Sequence, residues 1–232
     1  MPLSNVLSVR IRPEQQLRYG ELIRQLATRA VEKKDGFRWT AHQARFGTQG
    51  PLLHFVSECA DYAALAKRGT PIEMFERVLG AKAAAEWQQE LLGCTLEQRN
   101  TLSTDRPELS YPPDRTGPAA HPLAVVTTVR VRSGGQEAVE ELFRKLSEAI
   151  PKVDDPARIV VYQPVIGDLR QYWTVRPLRD LAELDRHRVP ARLLTDAFGA
   201  GEGGLIFRNA MEALESAERA IVAYLPELSN PA

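Results

Sequence analysis

Pro107-Glu108-Leu109-Ser110 returns as Pro226-Glu227-Leu228-Ser229, 119 residues later (226 − 107). A single recurrence of four letters proves little, but collinear matches around it establish a repeat. At an offset of 120, Val9, Arg10 and Arg12 fall on Val129, Arg130 and Arg132, and Gln16, Glu21, Leu22, Arg24 and Leu26 on Gln136, Glu141, Leu142, Arg144 and Leu146. Asp35, Arg38, Gln43 and Gly47 meet Asp155, Arg158, Gln163 and Gly167 in the same register. The offset then drops to 119, pairing Asp61, Leu65, Pro71, Gly80 and Ala81 with Asp180, Leu184, Pro190, Gly199 and Ala200. The chain is one unit of about 110 residues written twice.

Each copy opens on a period of two, which means a strand: Leu7, Val9 and Ile11 alternate with Ser8, Arg10 and Arg12, and Thr127, Val129 and Val131 with Thr128, Arg130 and Arg132. The period then becomes helical. Leu22, Ile23, Leu26, Ala27, Ala30 and Val31 form one stripe, mirrored by Val139, Leu142, Phe143, Leu146, Ala149 and Ile150. Two strands follow around a turn, 37–46 and 52–57 in the first copy, 159–166 and 171–175 in the second. Asp61 and Asp180 are candidate N-caps, and Pro71 and Pro190 open the next helical stretch. Further helices are expected over 81–97 and 203–218, and closing strands over 101–105 and 220–225. The order is that of a ferredoxin-like βαββαβ plait. The expected division is 1–112 for the first repeat, 113–122 for a Pro-rich linker and 123–232 for the second repeat.

Such a plait leaves one sheet face bare, and two copies can cover each other's. On its element order, its linker-joined duplication, and a third strand bearing Phe55 or Trp173 ahead of the helical run Asp180-Leu181-Ala182-Glu183-Leu184-Asp185-Arg186-His187, the chain resembles the dimeric α/β-barrel superfamily. That superfamily includes the antibiotic-biosynthesis-monooxygenase-like proteins. The resemblance implies an α+β fold with the two repeats packed sheet to sheet as a pseudo-dimeric barrel. It also implies a pocket in the barrel or between sheet and helices.

With 232 residues, 44% hydrophobic and 26% charged, the chain has an ordinary globular composition. Thirty basic and thirty acidic side chains cancel, so no overall field draws it to nucleic acid or to a membrane surface, and neither is expected as a partner. Cys59 and Cys94 form no Cys-x-x-Cys pair, which fits a reducing cytoplasm. The opening Met-Pro-Leu-Ser-Asn-Val runs straight into the first strand, and no export signal is expected.

If the apolar strand positions pack under the helices, alternation sends Ser8, Arg10, Arg12, Arg38, Thr40, His42 and His54 to the other face, with Thr128, Arg130, Arg132, Arg158, Tyr162 and Tyr172 at the corresponding places of the second copy. Arginines there call either for an anionic or polar ligand or for carboxylate partners at the rim. In the first reading Arg10, Arg130, Arg38, Arg158, His54 and Tyr172 bind a small anionic or polar compound, and His42 or Tyr162 moves a proton. The chain is then a small-molecule-binding barrel, monooxygenase-like in type. In the alternative it is a non-catalytic structural or interaction module derived from a fused homodimer, and homo-oligomers are expected of either. No spacing of His42 and His54 with a third ligand supports a metal. Gly199-Ala200-Gly201-Glu202-Gly203-Gly204 matches a dinucleotide fingerprint in letters but follows a helical stretch instead of a strand.

In the haem-degrading members of the superfamily, a strand tryptophan and a helix histidine engage the cofactor. Trp173 and His187 offer part of that pattern, without the asparagine those members carry on the first strand, so His187 reads as a surface histidine and no cofactor is expected.

Overall fold

The computed structural model describes residues 2–112 and 121–231, so that 113–120 of the expected linker lie outside it. The first repeat forms β1 (Leu3–Ile11), α1 (Gln16–Glu32), β2 (Thr40–Phe46), β3 (Leu52–Cys59), α2 (Tyr62–Arg68), α3 (Pro71–Leu79), α4 (Ala81–Gly93) and β4 (Thr95–Asp105). The second forms β5 (Leu123–Val131), α5 (Gln136–Lys152), β6 (Val160–Ile166), β7 (Gln171–Leu178), α6 (Pro190–Ala213) and β8 (Leu214–Tyr224). The strands close into one antiparallel barrel in the order β1-β3-β2-β8-β5-β7-β6-β4. This is the α+β architecture that the repeat and the resemblance imply.

The helix boundaries obey local chemistry. Asp61 Oδ1 accepts from the Ala64 amide at 2.8 Å, and Asp180 Oδ1 from the Glu183 amide at 3.1 Å. Thr70 and Glu73 form a reciprocal capping box ahead of α3, where Pro71 takes the first helical position. Gly80 and Gly199 sit at equivalent helix junctions with φ of 86° and 83°, a left-handed conformation that admits glycine readily. Gly203 lies so close to the Leu194 carbonyl that a Cβ would meet it at 2.4 Å. The glycine-rich run therefore serves a kink and a close helix contact.

The closing strands depart from expectation. Helix was expected to run to Glu97 and Glu218, yet α4 ends at Gly93 and α6 at Ala213, and strands begin at Thr95 and Leu214. The charged run Glu97-Gln98-Arg99 favours helix by intrinsic propensity, but β1 lies alongside and pairs with it, Arg10 with Glu97 and Ser8 with Arg99. Ladder bonds to the neighbouring strand override the local preference.

The described chain divides into two compact units, residues to Ser103 together with Ala223 onwards, and Thr104–Val222. The boundaries fall within β4 and β8, so the exit of each repeat completes the unit built by the other. Here the repeated Pro-Glu-Leu-Ser finds its reason. In the first unit Pro226–Leu228 forms a 3₁₀ turn, Leu228 enters the core, and Trp39 Nε1 donates to the Leu228 carbonyl at 2.8 Å. Ser229 Oγ accepts from the Ala41 amide at 2.9 Å and donates to the Leu225 carbonyl at 2.7 Å. In the second unit Leu109 is buried in the core, and Ser110 Oγ accepts from the Val161 amide at 3.0 Å and donates to the Arg106 carbonyl at 2.7 Å. Proline fixes the turn, leucine fills the core, and the serine hydroxyl satisfies an amide that would otherwise be orphaned.

Each unit has its own apolar core beneath its helices. Val9, Ile11, Leu22, Leu26, Ala41 and Leu53 meet in the first, and Val129, Val131, Leu142, Leu146, Val161 and Tyr172 in the second. Val31, expected in the helical stripe, is instead 54% exposed near the end of α1.

Candidate functional site

In the first unit the apolar partners of β1, β2 and β3 turn into the helices, and alternation leaves Ser8, Thr40, His42 and His54 on the helix-free face. The registers settle how they meet. Ser8 stands opposite His54 between β1 and β3, and His54 stands directly opposite His42 between β3 and β2. Three neighbouring strands thus carry Ser8, His54 and His42 in a single row. Sequence placed the two histidines near each other; the register brings them into direct opposition.

Each ring is held by a hydroxyl. Ser8 Oγ and His54 Nδ1 are 2.9 Å apart, and Thr40 Oγ1 lies 3.0 Å from His42 Nε2. The ring of Tyr224 stands 5.6 Å from that of His42, tilted by 45°, and gives the row an aromatic end. Burial pushes both imidazole pKa values down to about 4, and in His42 the neighbouring His54 adds to the effect. Both rings are neutral at pH 7. In the tautomer in which the Ser8 hydroxyl donates to Nδ1, the His54 ring proton stands on Nε2 and can donate to a ligand. The row offers neutral donors and acceptors beside an aromatic ring, a surface suited to hydroxyl or carbonyl groups on an organic ring.

Three of the four expected arginines are otherwise engaged. Arg10 pairs with Glu97 at 3.6 Å and donates to the Gln49 carbonyl. Arg130 pairs with Asp168 at 2.8 Å and Glu215 at 3.0 Å. Both are partly exposed and already carry carboxylate partners, as the rim reading anticipated. Arg38 donates to Asn230 Oδ1 at 2.8 Å and clamps the C-terminal segment. Arg158 Nη1 is buried with no hydrogen-bond partner.

In the second unit Tyr162 opposes Trp173, which opposes Thr128, so these three occupy the helix-free face. Tyr162 therefore holds the place of His42. Tyr172, expected beside it, lies on the other face: it opposes Val129, is fully buried, and packs on Phe143 at 5.8 Å. The turn before β7 is one residue shorter than its counterpart, and a slip of one residue reverses every side chain. Trp173, not Tyr172, is thus the partner of His54 in the repeat.

Tyr172 belongs to a polar network that the sequence did not disclose. Its hydroxyl donates to Glu140 Oε1 at 2.7 Å and accepts from Gln163 Nε2 at 3.0 Å, and Arg106 Nη1 reaches Glu140 Oε1 at 3.0 Å. These hydrogen bonds hold the Glu140 carboxyl below the usual range despite its burial, and burial pushes the Tyr172 phenol up. Arg106, next to the repeated motif and aligned with the apolar Leu225, was the available signal.

The haem pattern is not assembled. Trp173 faces the helix-free side, whereas His187 feels the charge of Arg176, which lies on the helix-covered side of the same strand. His187, expected at the surface, is half-buried, with its Nδ1 shut off from solvent. Among the described residues, no three His, Cys, Asp or Glu side chains gather as metal ligands, and no helix is long and apolar enough to cross a membrane.

No protein family matches the chain in sequence, and no curated protein matches it. Its fold recurs among solved structures. A provisionally assigned monooxygenase of Fusobacterium nucleatum shares it with a TM-score of 0.59 at 10% identity, covering 97% of this chain and 92% of that one. An anthrone oxidase-like protein does so at 0.59 and 15%, covering 97% and 91%. Chlorite dismutase from Candidatus Nitrospira defluvii does so at 0.53 and 9%, covering 98% and 93%. At these identities the likeness is one of fold, the dimeric α/β barrel, over nearly the whole chain.

Proposed function

We propose that this protein binds a small polar or weakly acidic organic ring compound on the helix-free face of the first unit and acts on it as a monooxygenase-like enzyme. The observation that carries the reading is the row Ser8, His54, His42: two imidazoles, neutral at pH 7, opposed across neighbouring strands and each oriented by a hydroxyl. The names of the similar folds add only the class of reaction to assay.

His54 Nε2–H donates to a ligand oxygen, and the Tyr224 ring offers an aromatic contact. His42 takes the ligand's proton. An imidazole of pKa about 4 is a weak base, and removing a proton from a group of pKa near 9 costs about 7 kcal/mol. The anion formed beside it lowers that cost, so proton transfer is coupled to the charge it creates. Tyr162 is the corresponding candidate in the second unit, where a phenol replaces the imidazole. Arg10, Arg130 and Arg38 are assigned to holding strand ends and the C-terminal segment.

The test is an imidazole NMR titration with phenols, quinols and their ring carboxylates, beside oxygen-consumption assays on any compound that binds. The His42 and His54 ring signals are expected to move, with at least tenfold weaker binding in His42→Gln and His54→Gln. Binding that leaves both signals unmoved, or a panel that nowhere binds, would favour the non-catalytic module.

A further inference from the structure

Arg176 is an uncompensated charge. It opposes Val125 from β7, on the helix-covered face that it shares with the fully buried Tyr172 and Leu178. Among the described residues its guanidinium makes no hydrogen bond or ion pair, and its Nε is buried. His187 Nδ1 is likewise buried without a partner. One carboxylate influences both, that of Asp155, but its oxygens are taken. Oδ1 accepts from the Ala157 amide at 2.9 Å, and Oδ2 from the Arg188 amide at 3.0 Å and Arg188 Nη1 at 3.4 Å. Asp155 therefore anchors the loop that bears His187 and leaves Arg176 unsatisfied.

The first unit shows what the second has given up. Asp35 Oδ1 accepts from the Phe37 amide at 2.8 Å as Asp155 does from Ala157, which equates Phe37 with Ala157. Val6 opposite Val56 and Val126 opposite Val175 equate Ser57 with Arg176, and the same offset equates Arg68 with His187. In the first unit the Arg68 guanidinium rests 4.5 Å from the centre of the Phe37 ring. In the second the ring is cut back to the methyl of Ala157, and a guanidinium replaces the Ser57 hydroxyl. One change removes an aromatic stopper, and the other adds a cation.

We infer that the second unit holds a site for a small organic carboxylate beneath its helices, with Arg176 as its fork and His187 as a second donor. The inference concerns a different unit and face from the histidine row and stands without it. Arg176 is half-buried with its Nε shut off from solvent, so an anion can complete the guanidinium, whose planar fork matches a carboxylate in two parallel bonds. Charge selects an anion: burial and Arg176 hold the His187 pKa below its ordinary value, Arg188 is paired with Asp155 and Asp196, and Arg176, which also feels the charge of Arg219, has no carboxylate of its own.

The experiment is thermal unfolding and calorimetry of the full chain with benzoate, acetate and inorganic phosphate at matched ionic strength. The carboxylates are expected to raise the melting temperature saturably and phosphate to leave it unchanged. Arg176→Met is expected to abolish that response and, without ligand, to melt at or above the parent because a half-buried, unpaired charge has gone. Arg176→Lys, which keeps the charge and loses the fork, is expected to bind at least tenfold more weakly, and His187→Gln several-fold more weakly. A parent that ignores carboxylates, a response that survives Arg176→Met, or phosphate binding the more tightly overturns the assignment.

Discussion

The two units share one scaffold and differ in where they bury polarity. The first carries it on the helix-free face, as Ser8, His54 and His42, and on its helix-covered side lays the Arg68 guanidinium over the ring of Phe37 beside an apolar core of Leu53, Met74 and Trp87. The second places Tyr162 and Trp173 on the helix-free face and sinks its charges beneath the helices, in the Glu140–Tyr172–Arg106 network and at Arg176. What stayed alike is what the fold requires: the N-caps, the helix-junction glycines and the Pro-Glu-Leu-Ser exits. Duplication left each copy free to change wherever the other still supplied the fold.

The sharpest way to separate the units is acid. The folded pKa values of His42 and His54, about 4, lie below the ordinary histidine value near 6.5, so the unfolded chain takes up protons first as pH falls. The stability tied to keeping these rings neutral is complete above pH 6.5 and is lost between there and about 4, at about 3 kcal/mol for each ring. Urea unfolding at pH 7 and pH 4.5 is expected to show the loss, and the His42→Gln/His54→Gln double variant to flatten it. Hydrogen exchange is expected to open the first unit before the second, and an unchanged slope in the double variant would break the contrast.

Leu109→Ala and Leu228→Ala are each expected to cost about 2–5 kcal/mol, since both side chains fill cores. Exchange sharpens the result: Leu109→Ala is expected to loosen the amides of the second unit and Leu228→Ala those of the first, each the reverse of the repeat in which the leucine is encoded. Ser110→Ala and Ser229→Ala, which strand the Val161 and Ala41 amides, are expected to cost about 1–3 kcal/mol by chemical denaturation. Tyr172→Phe comes last, at about 1 kcal/mol, because Glu140 keeps Arg106 and Gln136 when the phenol is lost. Its counterpart Leu53 has no hydroxyl to lose, so a larger effect in the second unit than this would mark the network as more than packing.

Much of this was legible in advance. The alternation of Leu7, Val9 and Ile11 and the stripe from Leu22 to Ala30 state their faces in the order of the letters, and Asp61 and Asp180 state where helices begin. The candidate site was half legible. Alternation by itself pairs His42 with His54, whereas it sends Tyr172 to the wrong face because the two hairpins differ by one residue in length. Arg10 and Arg130 aligned across the repeats, and yet their partners Glu97, Asp168 and Glu215 are distant in the chain. Nothing in the letters around Arg176 sets it apart, since no local pattern reveals that a charge lacks a partner.

By itself the sequence determined the duplication, the element order and the apolar faces, because period and offset are properties of neighbouring letters. Tertiary structure alone decided that each Pro-Glu-Leu-Ser completes the unit of the opposite repeat, that charged runs after Gly93 and Ala213 become strand, and that two histidines stay neutral while Arg176 stays unpaired. Those outcomes depend on which groups arrive from elsewhere to bond, bury or neutralise a side chain, and solvent exclusion and long-range pairing fix them only once the chain has closed.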